Sequence, residues 1–488
     1  MSKFKNITLT KEQDDTIGCI KTKEDAKVQA PAGSGKTFTL EAAAAVMPER
    51  KGFYIAFNRA IADSAKTKFN SNVQCRTGHS VAFGAVGRKY ADRLNKITGT
   101  LIAKTIPIGD TSMFVTPPAK GYVILDTIRR FTYSSDRDIM LHHVPRIKGP
   151  YQEEDIPAIR KDIVPYAKKV WENMADERGS LPITHDVYMK LWALSKPKIK
   201  TDFILLDEAQ DSNAVILDVI MNQDHAQKIL VGDKFQQIYE WRGAKNAMDM
   251  INTPHSCYIT QSFRFGNEIA GMANQILGSY MSPKNRPPLI RGLEGKKGLI
   301  SMDPIKDPDV IICRTNAGVI SNVFDLLDKD VKVYVQGGVL VMINMLKGAK
   351  DLQKGKRTYV PDLALFSNWE EVMECSKTES GMDLRSFVNM VKTHGVEKLI
   401  EALQACSLYA AQADITVSTC HKCKGLEWET VKLHSDFTTL DENKHHAMEQ
   451  SEINTLYVGA TRALTNLDIS KCVACHPDSL KIARNNFE

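Results

Sequence analysis

The segment that most restricts the fold of this chain is a short run of small residues that ends in lysine and threonine. Residues 30–37 read APAGSGKT, and a helical pattern follows from Leu40 to Met47. Small residues let consecutive backbone N–H groups surround a phosphate, while the lysine supplies charge and the threonine hydroxyl can bind Mg²⁺. The pattern predicts a strand, a phosphate-binding loop and a helix, although Ala30 replaces the first glycine of the general motif. A glycine-rich turn before a helix is the alternative.

Two acidic residues follow a second apolar run. Residues 203–206 read FILL, which is typical of a buried strand, and Asp207 and Glu208 come directly after it. Because functional groups of parallel α/β sheets gather at the carboxyl ends of strands, we expect Asp207 to hold Mg²⁺ with Thr37. Glu208 would orient and deprotonate the water that attacks the nucleotide. Two solvated loop acids are the alternative. The loop residues expected to contact the nucleotide are Ala32, Gly33, Ser34, Gly35, Lys36 and Thr37.

Length and composition exclude several classes of protein. The chain has 488 residues, of which 43% are hydrophobic and 25% charged, so it predicts a globular protein of about three structural units. Its net charge of +6 is weak for this length, so a nucleic-acid site would have to be local. The N-terminus becomes charged and polar before an apolar run of signal-peptide length develops, and no later run approaches the ~18 apolar residues of a membrane span. We expect a protein that is neither exported nor bound to a membrane.

Further motifs follow in a fixed order along the chain. Residues 207–210 read DEAQ, 232–244 GDKFQQIYEWRGA, 261–264 QSFR, 419–428 TCHKCKGLEW and 454–463 NTLYVGATRA. With residues 30–37 they resemble superfamily 1 helicases of the UvrD-like branch. Residues 184–197 (THDVYMKLWALSKP) and 313–317 (CRTNA) are similar to the F-box DNA helicase subgroup, although no segment resembles an F-box.

The resemblance implies a fold class and a division of the chain. We expect an α/β fold with two RecA-like parallel-sheet motor domains of the P-loop NTPase type, each with an inserted subdomain. The predicted units are a first motor domain (1A) at 1–85 and 199–260, a mostly helical insert (1B) at 86–198, a second motor domain (2A) at 261–335 and 408–488, and a short insert (2B) at 336–407.

The resemblance also implies nucleotide contacts outside the loop. Gln13 would read the adenine edge, Phe263 would stack on that base, and Glu427 would lie near the ribose.

At the other end of the nucleotide, Gln236 resembles the γ-phosphate sensor, and Arg264 and Arg462 resemble two γ-phosphate arginines of the second motor domain. Because such arginines neutralise charge on the transferred phosphoryl group, placing them on the opposite domain makes hydrolysis depend on closure of the cleft.

Two aromatic residues suit a contact with a single strand. Tyr239 and Trp241 would project to the same side of an extended segment, and Arg242 follows directly. Bases stack on flat side chains with little regard for sequence. Core aromatics are the alternative. The resemblance implies further DNA contacts at Asn58, Arg59, Thr77, His79 and His421.

The 2B insert carries a basic cluster for which two interpretations stay open, a duplex contact or a solvated face. Its members are Lys347, Lys350, Lys354, Lys356 and Arg357.

These features predict an ATP- and Mg²⁺-dependent DNA helicase that moves 3′ to 5′ on single-stranded DNA and separates duplex. One alternative is a single-strand translocase that removes bound proteins such as recombinase filaments. Another is the motor subunit of a nuclease complex, which would need a separate nuclease because few residues follow Arg462. Expected partners are single-stranded DNA, single/double-strand junctions, and single-strand-binding or recombination proteins. We expect a monomer, cytoplasmic in a bacterial or phage-infected cell and nuclear in a eukaryote.

Overall fold

Two parallel β-sheets organise the chain in the computed structural model. The residues it describes are 2–56, 58–109, 114, 116–147, 154–239, 246–378, 381, 384–437 and 448–487. The strands among them are β1 (Lys3–Phe4), β2 (Ile7–Thr8), β3 (Ala26–Gln29), β4 (Gly52–Ala56), β5 (Val73–Thr77), β6 (Phe203–Leu206), β7 (Gln227–Gly232), β8 (His255–Tyr258), β9 (Leu299–Ser301), β10 (Val310–Cys313), β11 (Val333–Val335), β12 (Ile415–Thr419), β13 (Trp428–Leu433) and β14 (Ala463–Asp468).

Helices flank both sheets. Those of the described residues are α1 (Lys11–Lys21), α2 (Lys36–Ala45), α3 (Arg59–Lys68), α4 (Gly78–Ala85), α5 (Gly99–Thr105), α6 (Pro117–Tyr133), α7 (Ile156–Ala175), α8 (His185–Leu194), α9 (Ala214–Met221), α10 (Ala247–Met250), α11 (Asn267–Tyr280), α12 (Asn316–Leu327), α13 (Leu340–Gln353), α14 (Trp369–Cys375), α15 (Arg385–His394), α16 (Val396–Gln404), α17 (Cys420–Cys423), α18 (Gln450–Ala460) and α19 (Pro477–Asn485). None of the helices in this part of the chain is long and apolar enough to cross a membrane.

The first sheet has the strand order β5-β4-β6-β7-β3-β8, and all of its pairs are parallel. Strands β6, β7 and β3 are neighbours, so the segments that follow them meet at one edge of the sheet. The second sheet has the order β11-β12-β10-β13-β14-β9 and is also parallel throughout. The predicted α/β fold with two RecA-like parallel-sheet domains is confirmed.

Each insert shares an apolar core with one face of its sheet. On β4, Phe53 and Ile55 join the core of the 86–198 insert, whereas Tyr54 and Ala56 face a second core on the other side. This alternation follows from the two-residue period of a strand. The second sheet is arranged in the same way, since one of its two cores includes the helices of the 336–407 insert.

Both inserts are helical in the described residues. Residues 86–198 supply α5, α6, α7 and α8, and residues 336–407 supply α13, α14, α15 and α16. The exact domain boundaries stay a prediction. In the basic cluster, Lys350 pairs with Glu397 of α16 at 2.9 Å, and the other four members are exposed.

Helices α5 and α6 pack backbone to backbone through two glycines. A Cβ atom added at Gly121 of α6 would lie 2.2 Å from the carbonyl oxygen of Gly99, the first residue of α5. A backbone atom cannot move aside as the end of a flexible side chain can. The close approach therefore depends on glycine at this position.

The variant Gly121→Ala should lower the apparent unfolding temperature, because overpacking of this kind costs about 1–3 kcal/mol. The matched control is Gly271→Ala in α11, where an added Cβ meets no atom within 4 Å. There alanine should stabilise the helix by about 0.5–1 kcal/mol. Thermal scans of both variants decide the matter, and equal shifts of the same sign would contradict the packing argument.

Candidate functional site

The predicted phosphate loop connects β3 to α2. Gly33 and Gly35 have φ angles of +72° and +76°, in the left-handed region that favours glycine. Ala30 is fully buried, and its backbone N–H donates to the carbonyl oxygen of Gly232 on the neighbouring strand at 2.9 Å. Ala30 does not have a positive φ, which explains why alanine is accepted where the general motif has glycine. The predicted strand, loop and helix are confirmed.

The ammonium group of Lys36 lies between the loop and the acidic residues. Its Nζ is 3.5 Å from the carbonyl oxygens of both Ala30 and Pro31, and 3.8 Å from Glu208 Oε1. Glu208 therefore lies close to the predicted loop lysine, although the two residues are 172 positions apart in the sequence.

Thr37 and Asp207, the two predicted metal ligands, are in contact. Thr37 Oγ1 donates to Asp207 Oδ2 at 2.8 Å, and the hydroxyl of Tyr54 on β4 donates to the same oxygen at 2.8 Å. Burial and the neighbouring charge of Glu208 raise the pKa of Asp207 above its ordinary value. A cation at this point would stabilise the ionised carboxylate. Sequence reasoning missed Tyr54, whose only signal was a polar group in an otherwise apolar strand.

The neighbouring carboxylate has the opposite tendency. Burial raises the pKa of Glu208. The charges of Lys36, Lys424 and Arg462 and a hydrogen bond from Gln210 together outweigh burial, so the pKa is lowered. Gln210 Nε2 donates to Glu208 Oε2 at 2.6 Å. Glu208 also has a φ of +48°, which is uncommon outside glycine. The ionised form is the one that accepts a proton.

The predicted sensor Gln236 is held by an aspartate of the same motif. Its Nε2 donates to Asp233 Oδ2 at 2.8 Å. Asp233 is fully buried at the end of β7, one position after Gly232. The sensor side chain is therefore positioned by a carboxylate for which sequence reasoning assigned no function.

The segment that contains Phe263 and Arg264 binds directly to the phosphate loop. Ser262 Oγ donates to the carbonyl oxygen of Ala32 at 2.8 Å. The backbone N–H of Phe263 donates to the carbonyl oxygen of Gly33, also at 2.8 Å. A Cβ atom at Gly33 would lie 2.4 Å from Arg264 Cβ. The absence of a side chain at position 33 thus permits this approach.

The guanidinium of Arg264 lies close to two other predicted site residues. Its Nε is 2.8 Å from Glu427 Oε2, and its Nη1 donates to the carbonyl oxygen of Thr461 at 3.1 Å. Burial, followed by the positive charge of Arg462, lowers the pKa of Arg264 to about 10. The structure therefore brings Arg264, Glu427 and Arg462 to the same side of the loop.

Arg462 itself is turned toward its own half of the chain. It is 1% exposed, and it donates to the carbonyl oxygens of Val458 at 3.0 Å and Leu426 at 3.2 Å. Its charge still acts on Glu208 and Arg264. Contact with a phosphate would require these hydrogen bonds to be exchanged.

Gln13 and Phe263, the residues predicted to contact adenine, both lie close to Gly35. A Cβ atom at Gly35 would be 3.6 Å from Gln13 Nε2 and 3.9 Å from Phe263 Cδ2. Phe263 is 44% exposed, so part of its side chain is open to a ligand. The amide of Gln13 is already engaged, since its Oε1 accepts from the N–H of Thr10 at 3.0 Å and its Nε2 donates to Thr39 Oγ1 at 3.3 Å. It would have to share these bonds with adenine.

Tyr239, one of the aromatic residues predicted to contact single-stranded DNA, is among the described residues and lies against another predicted DNA contact. Its hydroxyl donates to the carbonyl oxygen of His421 at 2.9 Å, and the two ring centroids are 6.2 Å apart. Trp241 and Arg242 lie outside the described residues, so their projection to the same side as Tyr239 stays a prediction.

The remaining predicted DNA residues follow β4 and β5. Asn58 and Thr77 cap α3 and α4, accepting from backbone N–H groups at 2.9 Å and 3.1 Å. The Arg59 side chain is 94% exposed and can reach a phosphate. His79 Nε2 is 3.2 Å from Asp186 Oδ1 in α8, which ties α4 to the first insert.

Comparison with known proteins agrees with this arrangement. The family model of the UvrD/REP helicase N-terminal domain matches residues 150–253, and that of the UvrD-like helicase C-terminal domain matches residues 414–469. The chain carries UvrD-like helicase N- and C-terminal domains. In this UvrD-like chain the N-terminal match includes β6 and β7, and the C-terminal match includes α17 and α18.

Two curated relatives match nearly the whole chain. F-box DNA helicase 1 of Gallus gallus is 30% identical over 95% of this chain and 49% of the relative. F-box DNA helicase protein 1 of Schizosaccharomyces pombe is 30% identical over 95% of this chain and 58% of the relative. The chain therefore spans about half the length of these relatives. A probable DNA helicase II homolog of Mycoplasma pneumoniae is 35% identical over 20% of the chain and 15% of the relative.

An ion pair that sequence reasoning missed joins the two halves of this UvrD-like chain. Lys424, directly after α17, contacts Asp211 Oδ2 and also donates to the carbonyl oxygen of Gln236. Burial, with a smaller effect of the negative charge of Glu208, raises the pKa of Asp211 to about 6 against the attraction of Lys424. The signal was available in part, because Asp211 directly follows the DEAQ motif.

The variant Asp211→Asn should change how stability depends on pH. In the folded protein the pKa of Asp211 is about 6, above the ordinary aspartate value of 3.8. The folded state therefore binds more protons between these values, so this group's contribution to stability falls as pH rises through that window. Asparagine does not titrate, so the unfolding temperature of the variant relative to the wild type should rise across the window and then stay level.

Thermal scans at several pH values measure this difference. Asp307→Asn is the control, because the Asp307 side chain is 86% exposed. This variant measures the effect on stability of losing one exposed carboxylate. A difference between Asp211→Asn and wild type that is constant with pH would contradict the assignment.

Proposed function

We propose that this chain is an ATP-dependent DNA helicase that moves 3′ to 5′ on single-stranded DNA and couples ATP hydrolysis to closure of its two motor domains. The observation that carries the proposal is the contact of residues 262–264 with the phosphate loop. A nucleotide in this loop would lie at the seam between the two sheets. Names of the curated relatives support DNA as substrate, while the polarity rests on the motif resemblance.

The residues at the loop fit a nucleotide and Mg²⁺. Ser34 is 1% exposed and its buried Oγ has no hydrogen-bond partner among the described residues, which suits a phosphate oxygen as acceptor. Thr37 and Asp207 would hold Mg²⁺, which supplies neutralisation of phosphate charge when bound. Hard oxygen ligands of this kind are those that Mg²⁺ prefers.

The proposed chemistry divides among the surrounding side chains. Lys36 binds the terminal phosphates, and Glu208, kept ionised, orients the water and takes its proton. Arg264 and Arg462 stabilise charge on the transferred group from the second motor domain, and Gln236 senses it. Gln13, Phe263 and Glu427 hold the base and ribose. Hydrolysis then proceeds only when the second motor domain is in place.

Contacts between the two halves also lead to the proposed DNA surface. Tyr239 and His421 lie together, and Lys424 is 5.2 Å from the centre of the Tyr239 ring while its ammonium binds the Gln236 carbonyl. A DNA strand that displaced Tyr239 would therefore act on the backbone of the sensor Gln236. Trp241 and Arg242 would extend this surface, with Asn58, Arg59, Thr77 and His79 as further contacts.

The variants Lys36→Ala and Arg264→Ala should each abolish DNA-stimulated ATP hydrolysis. Loss of the lysine charge should lower kcat by ~10²–10³-fold, and loss of an arginine of this type by ~10³-fold or more. Phosphate release in the presence of single-stranded DNA measures both. Lys306→Ala is the control, since that side chain is 93% exposed in a loop, and it should retain wild-type turnover. Retained turnover in Lys36→Ala would refute the site.

Unwinding of 3′-tailed, 5′-tailed and blunt duplexes tests substrate and polarity together. We expect ATP-dependent strand separation from the 3′-tailed substrate only. Preference for the 5′ tail would overturn the polarity. If the chain hydrolyses ATP on single strands and displaces a bound recombinase filament but separates no duplex, the translocase alternative replaces the helicase. Activity that appears only with a separate nuclease would favour the subunit alternative.

A further inference from the structure

Tyr457 of α18 is a fully buried residue whose hydroxyl reaches the other half of the molecule. It lies in the second motor half, yet its hydroxyl donates to Asp233 Oδ2 at 2.9 Å, and the backbone N–H of Ala32 donates to its oxygen at 3.4 Å. Burial, and next the charge of Asp233, raise the pKa of Tyr457 well above its ordinary value. The hydroxyl therefore stays protonated and remains a donor to the aspartate.

The carboxylate that accepts from Tyr457 also holds the proposed sensor. Asp233 Oδ2 accepts from both Tyr457 and Gln236 Nε2, while Oδ1 accepts from Gln29 Nε2 at 3.2 Å and from the N–H of Phe235 at 3.1 Å. Four donors fill the acceptor sites of one carboxylate. Removal of the Tyr457 hydroxyl therefore changes how strongly Asp233 Oδ2 can accept from Gln236.

The other partner of Tyr457 is a loop amide that is proposed to bind phosphate. The N–H of Ala32 can serve one strong acceptor at a time, and a charged phosphate oxygen is a better acceptor than a phenol oxygen. The bond to Tyr457 is long, at 3.4 Å, so a phosphate would replace it readily. Replacement would leave Tyr457 bound to Asp233 alone.

We propose that Tyr457 is a positioning residue that links occupation of the phosphate loop at Ala32 to the Asp233–Gln236 pair and to the second motor half. This inference rests on the proposed ATP hydrolysis. Tyr457 competes with phosphate for the Ala32 amide and fixes the carboxylate on which Gln236 depends. It touches neither the reacting atoms nor the metal ligands.

The test is Tyr457→Phe, which keeps the ring and removes the hydroxyl. Without the competing phenol, KM for ATP and the dissociation constant of a non-hydrolysable ATP analogue should fall about 2-fold. Because the Asp233–Gln236 pair loses its partner, kcat should fall about 3- to 10-fold. Steady-state hydrolysis with single-stranded DNA, together with equilibrium binding of the analogue, measures both.

Tyr280→Phe is the matched control. Tyr280 is a buried tyrosine of the same half, whose hydroxyl donates to the carbonyl oxygen of Ala474 at 2.7 Å. It should lose comparable stability while KM and kcat stay at wild-type values.

The outcomes separate this inference from the proposed function. If the wild type hydrolyses ATP and Tyr457→Phe matches it, or shows a raised KM, the inference fails and the proposed function stands. If the wild type neither binds the analogue nor hydrolyses ATP, the proposed function fails and the inference fails with it. A fall in both KM and kcat in Tyr457→Phe, absent from Tyr280→Phe, would support it.

Discussion

The hydrogen bonds between the phosphate loop and residues 262–264 are the interaction on which the rest of the site depends. They join backbone atoms of Ala32 and Gly33 to the second half of the chain at 2.8 Å. Gly33 is required twice, by its left-handed φ and by the approach of Arg264. Because these contacts are made by the loop itself, a ligand that reshapes the loop must also act on the second half.

Neighbouring charges give the two buried acidic residues at this seam different pKa shifts. The pKa of Asp207 is raised by burial and by Glu208, whereas that of Glu208 is lowered because Lys36, Lys424, Arg462 and a hydrogen bond from Gln210 together outweigh its burial. Environments that separate the pKa values of two adjacent carboxylates are typical of sites that assign them different tasks. Here one suits a cation and the other suits a base, in agreement with the proposed division between metal binding and water activation.

The elements of the site were predictable from the sequence, but many of its contacts were not. The strand, loop and helix around Lys36 and the buried strand before Asp207 follow from local patterns, and the structure has them. Tyr54 was not foreseen, because its bond to Asp207 joins two strands whose pairing the sequence does not display. Gln13 was expected to face a ligand, yet its amide also completes the cap of α1. The pair of Asp211 and Lys424 crosses between the two halves.

By itself, the sequence determined the local elements and their order, because apolar periodicity, glycine conformation and helix capping act over a few residues. The resemblance of its motifs to UvrD-like helicases implied two parallel sheets, and the position of Asp207 after a buried strand indicated the edge at which the chemistry gathers. Only the tertiary structure decided which donors meet which acceptors, such as Tyr457 with Asp233 at 2.9 Å. The physical reason is that a hydrogen bond requires its atoms within about 3 Å and correctly oriented, a condition set by the packing of distant segments.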